Sequence, residues 1–245
     1  MVVFMNIIDR LFEMIMQCDN IVAFTGAGVS TDSGLKDFRS KDGLYNQKYD
    51  YPAEYMLSRD CFFEHTEMFY KYYKDNFNCL DILPNDTHLL LKKLEDMGKL
   101  KGIVTQNIDG LHTKAGNKRV YEVHGTIYTN HCTECNKEYD AEFVFNSKDI
   151  PRCECGGIIK PDVVLYGESL PEMDYVEGIN AISNADMLIV EGSSLTVFPA
   201  SNMINMFRGK YLVIINKDKT LYDNNADLVI NDNLAKISKE IMDRL

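Results

Sequence analysis

Short apolar runs alternate along the chain with longer amphipathic stretches. The runs are rich in β-branched residues and carry apolar side chains on both faces, which is typical of strands buried in a parallel sheet. Six strands are predicted in this way: Ile21–Thr25, Gly102–Gln106, Val120–Val123, Met187–Glu191, Tyr211–Ile215 and Leu228–Ile230. Because helical patterns lie between them, we expect an α/β fold with a doubly wound parallel sheet.

Apolar residues three or four positions apart predict the helices between these strands. One stripe ends at Gly98, and glycine commonly terminates helices; a second stripe lies near residue 245, and a third near the start of the chain. In chain order the stripes consist of Ile8, Leu11, Ile15 and Cys18, of Leu90, Leu91, Leu94 and Met97, and of Leu234, Ile237, Ile241 and Leu245.

Two stretches break the alternation of strands and helices. Residues 41–80 are rich in Tyr, Phe and Asp without a strand pattern, which predicts a helical insertion, and residues 126–161 contain four paired cysteines. We therefore expect a large domain of residues 1–40, 81–125 and 162–245. Residues 41–80 and 126–161 would form a small domain, with a ligand cleft between the two.

Charge narrows the classes of function. The net charge is −11 over 245 residues, which argues against binding to nucleic acid, since phosphate contacts require a basic face. The first helical stripe is interrupted by Asp9, Arg10 and Glu13, so no signal peptide is expected, and no other segment approaches a membrane span. We expect a cytoplasmic protein with no membrane partner that tolerates cationic peptides.

The seven cysteines fall into two sets. Cys18, Cys61 and Cys79 stand among apolar or mixed residues, and we interpret them as small buried hydrophobes. The other four form two knuckles, Cys132-x-x-Cys135 and Cys153-x-Cys155, which predict one structural Zn²⁺. Two disulfides are the alternative, disfavoured by the odd cysteine total without an export signal; His131 is a competing ligand.

The first predicted strand leads through Thr25 into Gly26-Ala27-Gly28, a turn in which glycines let backbone N–H groups approach a phosphate. A usual dinucleotide site would have a third small residue at position 31, where Thr31 stands, and an acidic residue after a second strand. Instead the loop continues through a polar segment that ends in Asp37-Phe38-Arg39. This segment favours nucleotide binding over a turn that merely joins strand to helix.

Polar residues also stand at the carboxyl ends of later strands, where ligands bind in open α/β sheets. Thr105-Gln106-Asn107-Ile108-Asp109 follows one strand, Val123-His124-Gly125 the next, and Gly192-Ser193-Ser194-Leu195 a third. His124 suits a general base, although a lone histidine is more often structural. Asn216 ends the following strand, where its amide suits ribose or adenine.

The motifs GAGVSTDSGLKDFR, TQNIDGLH, VHG, the paired cysteines, KPDVVLYGE and GSSL stand in one order, from about Asp19 to Asn233. This ordered set resembles the sirtuins, NAD-dependent protein lysine deacylases, of bacterial type and with the catalytic core only. The resemblance implies an inverted, Rossmann-like NAD-binding domain beside a small zinc-ribbon and helical domain. It also implies that the acyl oxygen attacks C1′ of the nicotinamide ribose, nicotinamide leaves, and the acyl group ends as an ester of ADP-ribose.

The resemblance assigns roles residue by residue. It implies that His124 is the base that deprotonates a ribose hydroxyl, with Asn107 and Asp109 as catalytic partners in the nicotinamide pocket. The implied NAD-binding residues are Gly26, Ala27, Gly28, Thr31, Phe38, Arg39, Gln106, Asn107, Ile108, Asp109, His124, Ser193, Ser194, Asn216 and Leu234. The segment implied to pair with an acyl-lysine peptide is Val163, Val164, Leu165, Tyr166, Gly167 and Glu168, and the implied zinc ligands are Cys132, Cys135, Cys153 and Cys155.

Departures from the family pattern raise further expectations. Lys36 replaces a usual proline, Tyr166 a usual phenylalanine and Ser193 a usual threonine. Where members that remove acidic acyl groups carry Tyr-x-x-Arg, this chain has Tyr70 and Tyr73, which predicts a preference for neutral acyl groups. Lys71 or Lys74 would supply a cation if the register were shifted by one.

Other interpretations stay open on the sequence. Glu168 is as well explained as a solvated carboxylate as by a substrate contact. Transfer of ADP-ribose to protein, or hydrolysis of NAD, would use the same pocket, and a non-catalytic NAD sensor is the third hypothesis. The joint presence of His124, Asn107 and Asp109 favours the deacylase.

Overall fold

The structure is a computed structural model that describes residues 6–245; residues 1–5 of the expected large domain lie outside the described part. Over this range the chain forms nine strands. They are β1 (Ile21–Thr25), β2 (Leu100–Thr105), β3 (Val120–Glu122), β4 (Gly125–Cys132), β5 (Glu138–Asp140), β6 (Ile159–Val163), β7 (Met187–Glu191), β8 (Tyr211–Ile215) and β9 (Leu228–Ile230). Six of them form a parallel sheet in the order β3-β2-β1-β7-β8-β9.

Nine α-helices connect or flank the strands within the described range. They are α1 (Ile7–Gln17), α2 (Ala53–Met56), α3 (Arg59–Glu64), α4 (Thr66–Phe77), α5 (Asp86–Asp96), α6 (Leu111–Lys114), α7 (Ala141–Asn146), α8 (Glu172–Asn184) and α9 (Leu234–Met242). 3₁₀ segments of seven residues each follow β1 at Ala27–Ser33 and precede β8 at Ala200–Met206. None of these helices is long and apolar enough to cross a membrane.

Both faces of the parallel sheet are buried, because its central strands carry apolar side chains on either side. In β1, Ile21 and Ala23 pack into a core with α1, α5 and α9. Val22 and Phe24 point the other way, into a core with α8 and the 3₁₀ segment before β8. The doubly wound α/β fold predicted from the apolar runs is therefore confirmed.

The boundaries of the predicted elements shift at a few residues. The second strand begins at Leu100 and ends at Thr105, and the third ends at Glu122. Met97 was expected on the buried stripe but is 41% exposed, because α5 ends at Asp96 and Met97 occupies the C-cap.

A second core lies outside the parallel sheet. Aromatic residues of α3 and α4, among them Phe62, Phe69 and Tyr73, pack with Ile127 and Ile159 from an antiparallel sheet in the order β5-β4-β6. The helices agree with the prediction for residues 41–80, whereas the small sheet was not predicted. Strand β4 mixes apolar and polar residues without strict alternation, and β5 and β6 are only three and five residues long, so the three strands carry little periodic signal.

Candidate functional site

A buried hydrogen-bonded cluster lies where β1 and β2 end. Ser30, in the 3₁₀ segment after β1, donates its hydroxyl to Asp109 Oδ2 at 2.7 Å. The Asn107 amide donates to Ser30 Oγ at 3.1 Å and to Asp109 Oδ2 at 3.3 Å. We call Ser30, Asn107 and Asp109 the sheet-edge cluster; the structure brings together two residues predicted for the site and adds Ser30.

Asp109 is the charged member of the sheet-edge cluster, and it is 8% exposed. Burial raises the pKa of its carboxyl, while hydrogen bonds from the Leu111 N–H, Ser30 and Asn107 act in the opposite direction. Three donors therefore orient this side chain before any ligand arrives. Ser30 was not among the predicted site residues; the sequence signal was a hydroxyl residue two positions after Gly28, at the start of the polar segment that follows the glycine turn.

His124 follows β3 and is held in one orientation. Its Nδ1 lies 2.9 Å from the carbonyl oxygen of Gln106, which can only accept, so Nδ1 carries the proton and Nε2 bears the lone pair. Burial lowers the pKa of His124, and the Gln106 contact raises it by a smaller amount. The ring is therefore neutral at pH 7, the state that a general base requires.

The ends of β2 and β7 are joined by polar side chains. Ser193 donates its hydroxyl to Gln106 Oε1 at 2.7 Å and accepts a hydrogen bond from the Leu195 N–H at 3.2 Å. Ser194 lies nearer to solvent, where its hydroxyl pairs with that of Thr196. Gln106 thus positions His124 through its backbone and Ser193 through its side chain.

The glycine loop differs in one respect from the expectation that its N–H groups approach a phosphate. The N–H groups of Gly26 and Gly28 donate to the carbonyl oxygens of Glu191 and Gly192, at 3.0 and 2.9 Å, so neither is free for a phosphate. A Cβ on Gly28 would lie 2.7 Å from Gly192 Cα. These glycines therefore allow two loops to pack backbone against backbone. Thr31 donates its hydroxyl to the Gly28 carbonyl at 3.0 Å.

Phe38 and Arg39 lie in a loop at residues 36–47 that folds back on itself. Asp37 Oδ1 accepts hydrogen bonds from the Arg39 and Ser40 N–H groups. Tyr45 contacts Phe38 edge-on at 5.5 Å between ring centroids, and the exposed Arg39 guanidinium lies 5.2 Å from the centre of the Tyr45 ring. Both predicted residues therefore sit against one tyrosine.

Two predicted cofactor residues lie further along the sheet. Asn216 follows β8 and donates its side-chain amide to the Asp218 carbonyl at 2.8 Å. Leu234 begins α9, and its side chain is 6% exposed and packed in the core with α1 and α5. The side chain of Leu234 therefore serves the core, so the cofactor contact that the family resemblance implies would have to use the backbone of this residue, and it stays a prediction.

The segment 163–168 was expected to be an edge strand that pairs with substrate. Strand β6 instead ends at Val163. The N–H groups of Val164, Leu165 and Tyr166 donate to His124 O, Glu168 Oε2 and Leu57 O, at 2.8 to 3.0 Å. All three donors are satisfied within the chain, so a peptide that pairs with these three residues would have to use their carbonyl groups.

The Glu168 carboxylate is not solvated, because partners within the chain occupy it. Besides accepting the Leu165 N–H, it forms an ion pair with Lys160 at 3.1 Å, and the Lys160 amine also donates to the Val163 carbonyl. Both side chains are only 21% exposed. They tie the two ends of the segment together around Gly167, whose φ of +92° is in the left-handed region.

The four paired cysteines meet at one point between β4 and β6. Their sulfur atoms all lie within 4.8 Å of one another, with Cys132–Cys155, Cys135–Cys153 and Cys135–Cys155 at 3.4 to 3.5 Å. Four thiolates about 2.3 Å from a tetrahedral Zn²⁺ would be separated by about 3.8 Å, so the arrangement fits a structural zinc ion. No disulfide forms among the described residues, and His131 pairs with Asp162 instead.

Comparison with known proteins agrees with this geometry. The family model described as "Sir2 family" matches residues 26–199, from the glycine loop to beyond the Ser193–Ser194 turn. The chain belongs to the Sir2 family. The sirtuin resemblance stated from the sequence motifs is thereby confirmed.

Individual relatives match nearly the whole chain. Proteins from Clostridium acetobutylicum and Clostridium perfringens, each named NAD-dependent protein deacetylase, are 49% and 50% identical to it over 96% of this chain and 98% of their own length. A solved Sir2 structure with a deacetylated peptide and 3′-O-acetyl ADP-ribose has a TM-score of 0.91 at 35% identity, covering 97% of this chain and 98% of that one.

Proposed function

We propose that this Sir2-family chain is an NAD-dependent protein lysine deacetylase, which transfers the acyl group from lysine to ADP-ribose and releases nicotinamide. The observation that carries the proposal is the sheet edge itself. A neutral His124 with its Nε2 lone pair available lies one strand away from the buried Ser30, Asn107 and Asp109. NAD supplies the ribose carbon that the acyl oxygen attacks.

His124 acts as the general base in this proposal. Its Nε2 accepts a proton from a ribose hydroxyl, and the Gln106 carbonyl, 2.9 Å from Nδ1, stabilises the imidazolium that results. The same carbonyl prevents the ring from turning over, so the base keeps one orientation through the reaction.

Asn107 and Asp109 hold the nicotinamide carboxamide, together with Ile108 and Gln106. Support comes from the burial of Asn107 and Asp109 and from their mutual hydrogen bonds, which fix a donor and an acceptor at the carboxyl end of β2. The loop 26–31 faces the phosphates with Phe38 and Arg39, and Ser193, Ser194 and Asn216 hold the adenosine half. Residues 163–168 bind the acyl-lysine peptide as an added strand.

The division into domains follows the two cores. Residues 41–80 and 126–161, with a zinc ion on the four cysteines, form the small domain, and the remainder forms the NAD-binding domain. The separate aromatic core of α3, α4 and the antiparallel sheet supports this division. Zinc has no open coordination position with four thiolates, so its role is structural.

We also infer a cytoplasmic location and no direct nucleic-acid partner. The net charge of −11 supports the absence of a nucleic-acid partner, since it suits cationic lysine-rich peptides better than polyphosphate backbones.

Mass spectrometry of an acetyl-lysine peptide incubated with NAD and the purified chain tests the function. We expect deacetylated peptide, nicotinamide and O-acetyl-ADP-ribose in equal amounts. A peptide carrying ADP-ribose would identify an ADP-ribosyltransferase, free ADP-ribose without deacetylation an NAD hydrolase, and unchanged reactants a non-catalytic NAD sensor. Each of these three outcomes contradicts the proposal.

A further inference from the structure

Tyr45 is fixed to the segment that carries Phe38 and Arg39. Its N–H donates to the Phe38 carbonyl at 2.9 Å, and its ring contacts both the Phe38 ring and the Arg39 guanidinium. Because backbone and side chain are both engaged, a displacement of Tyr45 would move Phe38 and Arg39 with it.

The hydroxyl of Tyr45 lies 2.5 Å from the hydroxyl of Tyr166, 121 positions further along the chain. Tyr166 is itself anchored, because its N–H donates to Leu57 O and its carbonyl accepts from the Arg59 N–H, both at 3.0 Å. One tyrosine therefore belongs to the loop expected to cover NAD, and the other to the segment expected to hold acyl-lysine.

This contact is the sole hydrogen bond by which residues 36–47 reach another segment of the described chain. Every other hydrogen bond of these residues has both partners inside the loop. Asp37 accepts such bonds, and Gly43, Leu44, Asn46 and Gln47 donate them. No ion pair of the described residues involves them. Apolar packing, such as that of Phe38 against Phe77, also holds the loop, and the hydroxyl pair adds the directional contact between the loop and the segment of Tyr166.

We propose that the Tyr45–Tyr166 hydroxyl pair couples the two substrates, so that NAD and the acyl-lysine peptide each strengthen binding of the other, with Tyr45 as a positioning residue. The inference rests on the proposed function. A ligand that holds Tyr166 in place holds the loop closed, and a ligand that closes the loop orients Tyr166; such coupling is reciprocal by thermodynamic linkage. A single hydrogen bond supports a coupling of about fivefold.

The test is a double-mutant cycle in which the measured quantity is the coupling between binding of the peptide and binding of an NAD analogue. The dissociation constant of an acetyl-lysine peptide is measured by calorimetry with and without a non-reactive carba analogue of NAD, for the wild type, Tyr45→Phe, Tyr166→Phe and the double variant. We expect the analogue to tighten peptide binding in the wild type. The ratio of the peptide dissociation constants without and with the analogue measures the coupling. Either single variant should lower this ratio about fivefold, and the double variant should lower it no further.

Tyr211→Phe is the matched control, because it also removes a hydrogen-bonded tyrosine hydroxyl, one that donates to Gln17 at the opposite end of the sheet. It should leave the coupling at the wild-type value. The proposal would be overturned if the analogue did not tighten peptide binding in the wild type, or if it tightened binding equally in the wild type and in both single variants. It would also be overturned if the effects of the two single variants multiplied in the double variant. Deacetylation by the wild type is scored separately, so failure of the coupling is distinguishable from failure of the proposed function.

Discussion

Side chains of the sheet-edge cluster and side chains of the 36–47 loop are held in place by different means. Asp109 accepts three hydrogen bonds and Ser30 takes part in two, all in a buried setting at the ends of β1 and β2. The 36–47 loop buries Leu44 and packs Phe38 and Tyr45 against apolar residues of α2 and α4, and its one hydrogen bond to another described segment is made by the Tyr45 hydroxyl. The first region is preorganised by several buried hydrogen bonds, whereas the second is held by apolar packing and by a single hydrogen bond to another described segment.

The difference suggests that the two regions have separate roles in the reaction. Groups that must keep a fixed geometry during the reaction sit on the ends of rigid strands, where reorganisation would be costly. The loop that the proposed function places over NAD is joined to the peptide-binding segment by one hydroxyl pair, a contact that breaks easily. Four predictions test this separation of roles, from the largest expected effect to the smallest.

Replacing His124 with alanine removes the proposed base from the rigid region. We expect turnover of acetyl-peptide to fall about 100-fold or more, with NAD affinity largely kept, because a general base acts in the transition state more than in binding. Steady-state kinetics and calorimetry measure the two quantities. His65→Ala, which removes an exposed histidine, is the control, and near-native turnover of His124→Ala would exclude His124 as the base.

Removing the metal tests the part of the small domain that contains the four paired cysteines. Purified protein should contain one Zn²⁺ per chain, and Cys135→Ser should lose it, because three thiolates hold zinc less well than four. We expect residues 126–161 to lose protection from hydrogen exchange while β1 and β7 keep theirs.

Cys61→Ala is the matched control, since Cys61 is buried but stands outside the four-cysteine group. It should keep the metal. Full zinc content in Cys135→Ser, or a disulfide mapped between the two pairs, would refute the structural zinc site.

Acyl preference tests the aromatic core beside the cleft. Tyr73 is fully buried and stacked on Phe69, Phe77 and Phe145, while the Lys74 amine is bound by Ser147 and by the Asp149 carbonyl. Neither residue offers a free cation to an acidic acyl group. We expect kcat/KM for a succinyl peptide to be about tenfold or more below that for the matched acetyl peptide. Equal efficiency on both would show that another cation serves the channel.

Glu191 tests how far a buried ionisable group in the rigid region lowers the stability of the fold. Its carboxyl ends β7, is 2% exposed, and burial raises its pKa from 4.5 to about 8. The folded state therefore keeps this proton while the unfolded state loses it. Wild-type stability should fall as pH rises from about 4.5 to about 8 and then level off.

Glu191→Gln removes that dependence. We expect it to stabilise the fold by about 1–3 kcal/mol at pH 8 and by little at pH 4.5, measured as a difference in thermal unfolding at the two pH values. Glu64→Gln, at an exposed glutamate on α3, should show no such difference. A Glu191→Gln variant that is less stable than wild type at pH 8 would mean that the charged carboxylate has a stabilising partner.

How far the sequence predicts this molecule depends on which signal each region carries. The parallel sheet was predictable because buried strands are unbroken apolar runs, and the zinc group because its ligands are spaced in pairs. Strand β4 has no regular period and strands β5 and β6 are short, so their pairing had to come from the structure. The contacts of Ser30 with Asp109 and of Tyr45 with Tyr166 join residues 79 and 121 positions apart, which local patterns do not encode.

The glycine loop shows the same limit at one motif. Its sequence correctly predicted a tight turn after β1, but the partner of that turn is Gly192, at the end of a distant strand. Spacing within the motif cannot reveal whether the N–H groups face a phosphate or another loop. Glu168 is similar, because its pairing with Lys160 depends on how residues 163–168 bend around Gly167.

Hydrogen exchange followed by mass spectrometry tests the contrast between the two regions most directly. The free chain is compared with its complex with acetyl-lysine peptide and the carba analogue of NAD. We predict that peptides covering residues 26–31 and 105–112 are protected to a similar degree in both states, and that residues 36–47 exchange quickly in the free chain and slowly in the complex. A 36–47 loop already as protected as β1 in the free chain, or a larger change at 105–112 than at 36–47, would contradict the account.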